Sequence, residues 1–253
     1  MWRNYLTIAI RMLSKERSYA IINVVGLALG LAACLALLLY VRYERSYDTW
    51  LPGHEDVYQL QTVYTDSQTG EAQALQMTQY PAAAALRQAS PDFAAGVFAL
   101  TSMPTVLRGS EALAIERGLL VDGDLLDVLR LPLVAGDPRT ALRQGGAVLL
   151  SATEARRIFG SANPVGRTVT LVEKGVRRDR PVTGVYRDLP RNSSLRFGLV
   201  QRFDPGTYFA DEPQWLTSYD NLNGWFFARL RAGADPEGVH GALLRWRDRN
   251  VPP

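Results

Sequence analysis

Twenty-two consecutive uncharged residues, AIINVVGLALGLAACLALLLYV from Ala20 to Val41, constrain this chain more than any other feature. As a helix rising ~1.5 Å per residue the run reaches about 33 Å, enough to cross a bilayer core. A cleaved signal peptide has a shorter apolar region, about 7 to 15 residues, and a small-x-small site before polar sequence. This run is longer and closes on Leu37, Leu38, Leu39, Tyr40 and Val41. It reads as an uncleaved membrane helix.

Charge placement gives that helix a direction. The chain has 28 Lys and Arg against 25 Asp and Glu. Residues 1–19 hold Arg3, Arg11, Lys15 and Arg17 against Glu16 alone, so the whole surplus of three precedes the helix. Basic residues stay on the cytoplasmic side and a long following domain crosses largely regardless of its own charge. The amino end is therefore expected inside and the remainder outside the cytoplasm. Tyr19, Tyr40, Tyr43, Tyr47 and Trp50 flank the run where amphipathic rings settle at membrane interfaces.

Two patterns within the first 41 residues point to contacts. Gly26 and Gly30 form a GxxxG pair and Ala33 extends it, a stripe of small residues that lets a second helix approach closely. Gly and Ala are also common in membrane helices that pack against nothing in particular. Ahead of the run, Trp2, Tyr5, Leu6, Ala9, Met12 and Leu13 recur at helical spacing, with Arg3, Arg11 and Lys15 largely off that stripe. This pattern predicts an amphipathic helix lying on the cytoplasmic leaflet, its cations near lipid phosphates. The plainer alternative is a basic leader that only sets topology. The expected organisation is an interfacial helix over 1–19, a transmembrane helix over 20–41 and an extracytoplasmic domain over 42–253.

Beyond the helix, hydrophobic residues make up 47% of the chain overall, which gives the exterior part a core to bury. The pattern there is mixed. Residues 57–65 read as a strand turning through DSQTG into EAQALQMT, and Pro81 opens a helix that stops near Ser90. GVFAL, TVL and ALAIERGLLV read as strands, the last ending at Val121 with Asp122, Gly123 and Asp124 as turn residues. AVLLS is a short buried strand, followed by an S-x-x-E capping box at Ser151 and Glu154, a helix ending at Gly160, and RTVTLV. GVRRDR is expected as a charged turn pairing 167–173 with 181–187. WFFARLR reads as a strand and Pro236 opens a last helix. The fold class expected is α+β, one N-terminal transmembrane helix followed by a mixed α+β extracytoplasmic domain.

The search for chemistry excludes more than it finds. Cys34 is the only cysteine and lies in the apolar run, so a disulfide framework and a Cys-based zinc site are excluded. His54 and His240 stand in no metal-ligand spacing. GSANPVGRT, residues 160–168, has Arg167 where a phosphate-binding loop needs Lys, and Pro164 breaks the cradle. Asp122, Asp124 and Asp127 read as turn and helix-start acids, and no GxSxG elbow occurs. No catalytic, cofactor or metal residue is assigned. The 26 arginines are spread along the chain and face acids nearby, so nucleic acid is not an expected partner.

Three stretches carry a family resemblance. They are the basic helix with Ala20–Asp48, then AGDPRTALRQGGAVLLSATEARRIFGSANPVGRTV over Ala135–Val169, and VTGVYRDLPRNSSLRF over Val182–Phe197. Together they resemble the amino-terminal portion of an ABC transporter permease of the MacB/FtsX type, its first membrane helix followed by a MacB-like periplasmic core domain. The resemblance implies an inner-membrane location, a separate or fused ATP-binding subunit, and a second permease unit as partners. It also implies that ATP-driven closure is relayed through membrane helices to the exterior domain. The family pattern continues into further membrane helices. Since nothing after Val41 approaches ~18 consecutive apolar residues, the expectation is a truncated reading, a split gene or a degenerate copy. The alternative from another class is a single-pass anchored binding or sensory module.

Overall fold

The computed structural model describes residues 2–65, 68–160 and 164–251. The chain divides into two compact units, Met1–Thr49 and Trp50–Pro253.

The first unit is helical. α1 spans Trp2–Lys15 and α2 spans Arg17–Arg45, with the helical path broken at Glu16, whose φ of −109° and ψ of 56° leave the helical region. The charge-free run lies wholly inside α2, and no α2 residue is buried. Among the described residues α2 alone is long and apolar enough to cross a membrane.

The second unit is α+β. Its described residues form β1 (Val57–Gln59), β2 (Thr62–Thr65), β3 (Ala72–Leu75), α3 (Tyr80–Ala89), β4 (Phe93–Ser102), β5 (Thr105–Arg108), β6 (Glu111–Ala114) and β7 (Gly118–Gly123). There follow α4 (Leu125–Leu129), β8 (Leu133–Ala135), β9 (Val148–Ser151), α5 (Ala152–Phe159), β10 (Thr168–Glu173) and β11 (Val176–Tyr186). The chain ends through β12 (Leu199–Arg202), α6 (Pro205–Tyr208), β13 (Trp225–Leu230) and α7 (Pro236–Asn250). The main sheet runs β1-β13-β4-β7-β12-β9-β11-β10-β5-β6, with β8 also on β11, and β2-β3 is a separate hairpin. Most neighbours are antiparallel; β9 with β11 and β12 with β7 are parallel. Central strands are buried on both faces. Val148, Leu149 and Leu150 of β9 are fully buried, their side chains divided between two apolar clusters.

Local chemistry explains the helix ends. Ser151 Oγ accepts the Glu154 N–H at 3.1 Å, while the Ser151 N–H donates to Gly198 O at 2.8 Å, so only half of the expected capping box closes. Asp235 accepts from Glu237 and Gly238 at the start of α7.

Three expectations are corrected. Past Gly175, VRRDR is strand, not turn: Lys174 and Gly175, with φ of 48° and 79°, make a two-residue turn, so Glu173 faces Val176 and Thr168 faces Pro181. Of the charged residues read as turn signals, Arg177 and Asp179 are exposed on this strand while Arg178 and Arg180 are half-buried and pair with Glu173. ALAIERGLLV is two strands, because Ile115 donates to Pro104 O and turns its own side chain into the core between β6 and β7. Asp122 and Gly123 continue β7, opposite Phe98 and Val97, and the turn begins only at Asp124.

Candidate functional site

The residues that continue the chain from Thr49 are fixed into the sheet unit by one guanidinium. Leu51 is buried in a core cluster and Trp50 packs against it. Arg229 of β13 has a side chain only 4% exposed. Its Nη1 donates to Gly53 O at 2.7 Å and Nη2 to Pro52 O at 3.0 Å. The same group donates to the C-terminal end of α4, Nε to Asp127 O at 3.2 Å and Nη2 to Val128 O at 2.8 Å. A helix C-terminus favours a cation there, and the planar fork reaches two elements at once. Burial, then Arg130 nearby, lowers the Arg229 pKa, opposed by Asp56 and Glu55; Asp56 Oδ2 stands 3.9 Å from Nη1. Gly53 has φ of 64°, which favours glycine, and a Cβ there would come within 2.8 Å of Arg229 Nη1 and push on the guanidinium. The arrangement ties the entry segment, β13 and α4 into one body. It can carry a pull; it has no bond-breaking group.

Two cavities of about 600 and 610 Å³ open side by side near the loop after β11 and share Glu116, Arg117, Arg196 and Phe197. In the first, Asp188 accepts from Thr153 N at 2.9 Å and Thr153 Oγ1 at 2.8 Å at the start of α5, and Arg157 pairs with Glu154 at 2.7 Å. The second is walled by Leu119, Leu195, Phe197, Trp225 and Phe227 and is the more apolar. Tyr186 is fully buried and donates to Phe197 O at 2.7 Å, which fixes the shared wall. Burial first, then the negative Asp188 and Glu154, push the Tyr186 pKa well above its ordinary value.

That shift sets a pH dependence. Above the unfolded-chain value near 10 the unfolded state releases the Tyr186 proton while the folded state keeps it, so unfolding gains. The contribution is whole below about pH 10 and is lost as pH rises from there through the folded value, at about 1.4 kcal/mol per pH unit. Urea unfolding at pH 9 to 11 is expected to show a steeper loss of stability in the wild type than in Tyr186→Phe, which keeps only the smaller slope of Tyr208, whose pKa burial and then Glu173 also raise. Equal slopes would remove the assignment.

The residues singled out in the sequence divide between the units. Gly26, Gly30 and Ala33 lie exposed on α2, and a Cβ at either glycine would meet nothing within 4 Å. Trp2 and Tyr5 lie on α1, 90% and 72% exposed; Leu6 also lies in α1, its side chain outside the described residues. Asp122 accepts from Tyr80 Oη at 2.8 Å and faces Arg202, while Asp124 and Asp127 both face Arg143, which is ion pairing and not a shared ligand sphere. Among the described residues no three His, Cys, Asp or Glu group to hold a metal. Of GSANPVGRT, residues 161–163 lie outside the described residues; beyond them Gly166 N–H bonds Val182 O and the Arg167 guanidinium covers the Phe159 ring at 4.6 Å. Sequence reasoning missed Arg229 and Asp188. The signal for Arg229 was a lone cation amid Phe, Phe, Ala and Leu on a buried strand.

The family profile for the MacB-like periplasmic core domain matches residues 20–245, α2 and nearly all of the sheet unit. The chain belongs to this family. Two solved structures share the fold. A domain assigned to a permease protein of Porphyromonas gingivalis aligns at TM-score 0.63 and 23% identity over 80% of this chain and 84% of that one. The periplasmic region of MacB from Actinobacillus actinomycetemcomitans aligns at TM-score 0.52 and 14% identity over 81% and 86%. No curated protein matches the chain in sequence. As a MacB-like periplasmic core domain protein the chain is a permease-type transporter component. One N-terminal apolar helix joined to a domain of a periplasmic family fits a membrane-anchored protein with an extracytoplasmic domain.

Proposed function

We propose that the chain is the mechanical link of an ABC-type permease complex in the inner membrane, relaying the action of a cytoplasmic ATP-binding subunit to its own extracytoplasmic sheet domain. α2 crosses the membrane with its amino end inside. α1 lies on the cytoplasmic leaflet, with Trp2 and Tyr5 toward the lipid. Gly26, Gly30 and Ala33 receive a helix of a second permease unit. The domains then run as 1–19, 20–41 and 42–253. The chain itself performs no catalysis in this reading; ATP belongs to the partner. The observation that carries the proposal is that a single family match spans both the apolar helix and the sheet domain. The rigid clamp of Pro52 and Gly53 by Arg229 supports it, since a relayed displacement needs an entry segment that does not yield.

The test uses the lone cysteine. In a Cys34→Ala background, Met103→Cys, at a position 84% exposed, is expected to react with a membrane-impermeant maleimide in intact cells whose outer membrane is permeabilised. Asn4→Cys, exposed on α1 and away from the Trp2 and Tyr5 stripe, is expected to react only after lysis, and affinity purification after crosslinking is expected to recover an ATP-binding subunit. Protection of Met103→Cys in intact cells would overturn the topology. Recovery of the chain without any ATP-binding protein would overturn the coupling.

A further inference from the structure

A third cavity of about 590 Å³ lies between the tip of the β10–β11 hairpin, α6, β12 and the turn at Gly145 and Gly146. Its size falls within the range of small-ligand sites. Lys174, at the hairpin tip, donates to Tyr208 O at 2.8 Å and stands 4.6 Å from the Tyr208 ring centre, closing one side against α6. Arg180 grips Glu173 with Nε at 3.3 Å and Nη2 at 2.8 Å, and Arg178 reaches the same carboxylate at 3.5 Å. With Asp204 and Asp211, the wall holds three cations and three carboxylates, so it offers no net charge to an ion. Asp204 is already engaged by Gly206 N and Thr207 Oγ1.

Gln201 is the exception in this wall. It is 2% exposed, its backbone is held between Leu120 of β7 and Val148 of β9, and its side chain shares a face with Leu120 and Phe203, which also line the cavity. Among the described residues no protein group hydrogen-bonds its side-chain amide. Its amide atoms are not sealed off but reach the cavity, and without a group to bind there a strand buried on both faces would be served better by Leu at that place. The amide presents a donor and an acceptor side by side at the cavity, which matches a group that presents an acceptor and a donor at the same spacing. A secondary amide does so, and the apolar wall beside it takes an uncharged carbon skeleton.

We propose that this cavity is a binding site for a small, uncharged ligand carrying a secondary amide, with Gln201 as the recognising residue. A short peptide segment and an N-acetylated amino sugar share that chemistry. The inference is independent of the proposed coupling to ATP.

The test is a titration of the full chain in lipid nanodiscs, labelled with ¹⁵N-glutamine. The probes are N-acetyl-L-alanine methylamide and N-acetylglucosamine, with L-alanine and glucosamine as controls that lack the amide. The Gln201 side-chain NH₂ signals, identified by their loss in Gln201→Leu, are expected to shift saturably with one or both amides and with neither control. A response to the peptide probe alone assigns a peptide ligand, to the sugar alone an amino sugar, and to both the amide group itself. Gln201→Leu is expected to bind about tenfold more weakly or worse while melting no lower than the wild type, a combination that a merely structural glutamine would not give. If Gln201→Leu does not fold, Gln201→Met identifies the signals and the wild-type titration decides. Unmoved Gln201 signals with both amides, equal shifts with the controls, or undiminished binding by the folded variant would each overturn the site.

Discussion

Arg229→Met is expected to destabilise the sheet domain by about 3 to 5 kcal/mol, because it removes one group and strands four. The carbonyls of Pro52, Gly53, Asp127 and Val128 all accept from the guanidinium; Val128 O is buried and the other three are part-buried. Met fills most of the volume, so the loss reports hydrogen bonding and charge rather than a cavity. Asp56 loses its cation as well, but it is 43% exposed and water serves it, so the carbonyls dominate. Arg229→Lys keeps the charge yet presents a single ammonium in place of a fork that spans two elements, and is expected to recover less than half of the loss. Denaturant unfolding gives the magnitude, and amide hydrogen exchange gives the place. Protection should fall first over residues 50–56 and α4 while β9 and β12 remain closed. A loss under 1 kcal/mol, or exchange that rises uniformly, would mean that the clamp does not fix the entry segment, and the mechanical reading of this chain would lose its support.

How far such a clamp could be read beforehand depends on the range of the interaction. The charge-free run is a property of consecutive residues, and α2 contains all of it. The cap at Ser151, the stop at Gly160 and the start at Pro236 are set by residues three or four apart, and each stands where the sequence places it. The hairpin over 168–186 fails at the same scale for an identifiable reason. Four charged residues in RRDR outweighed a Lys-Gly pair as turn signal, yet it is the pair that adopts successive positive φ values, with Gly175 doing so at no steric cost. Arg229 and Gln201 were beyond local reading altogether. Each looks like an ordinary polar residue in a strand until the sheet order sets β13 beside β1 and β4, and β12 between β7 and β9. Arg229 meets carbonyls 101 to 177 residues away. The family resemblance supplied what spacing did not, since its second and third stretches meet in space where Asp188 caps α5 through Thr153.

Gly224→Val tests that long-range assembly at a second place and is expected to cost about 3 kcal/mol or more. Gly224 sits just ahead of β13, where its N–H and C=O bridge Thr78. Its φ is unexceptional, so conformational freedom is not the reason for glycine; space is. A Cβ would lie 2.3 Å from Phe98 Cζ and 2.7 Å from Ala99 O. The oxygen belongs to the backbone of β4, paired across to both Trp225 and Val121, and cannot retreat without breaking register. Nor can the ring swing away: Phe98 is 2% exposed and Tyr80 stands edge-on against it with centroids 5.1 Å apart. The strain must therefore be relieved by parting β13 from β4 at this end, which loosens α3 through Tyr80 and uncovers the apolar cluster that holds Leu86, Phe98 and Phe226. Chemical denaturation measures the cost. Gly224→Ala should already give more than half of it, since the clash is with Cβ itself, and that proportion separates overpacking from the bulk of the valine. A Gly224→Ala protein as stable as the wild type would show that β4 and β13 have room to move apart here, and the close approach of the two strands would not be a constraint that the fold depends on.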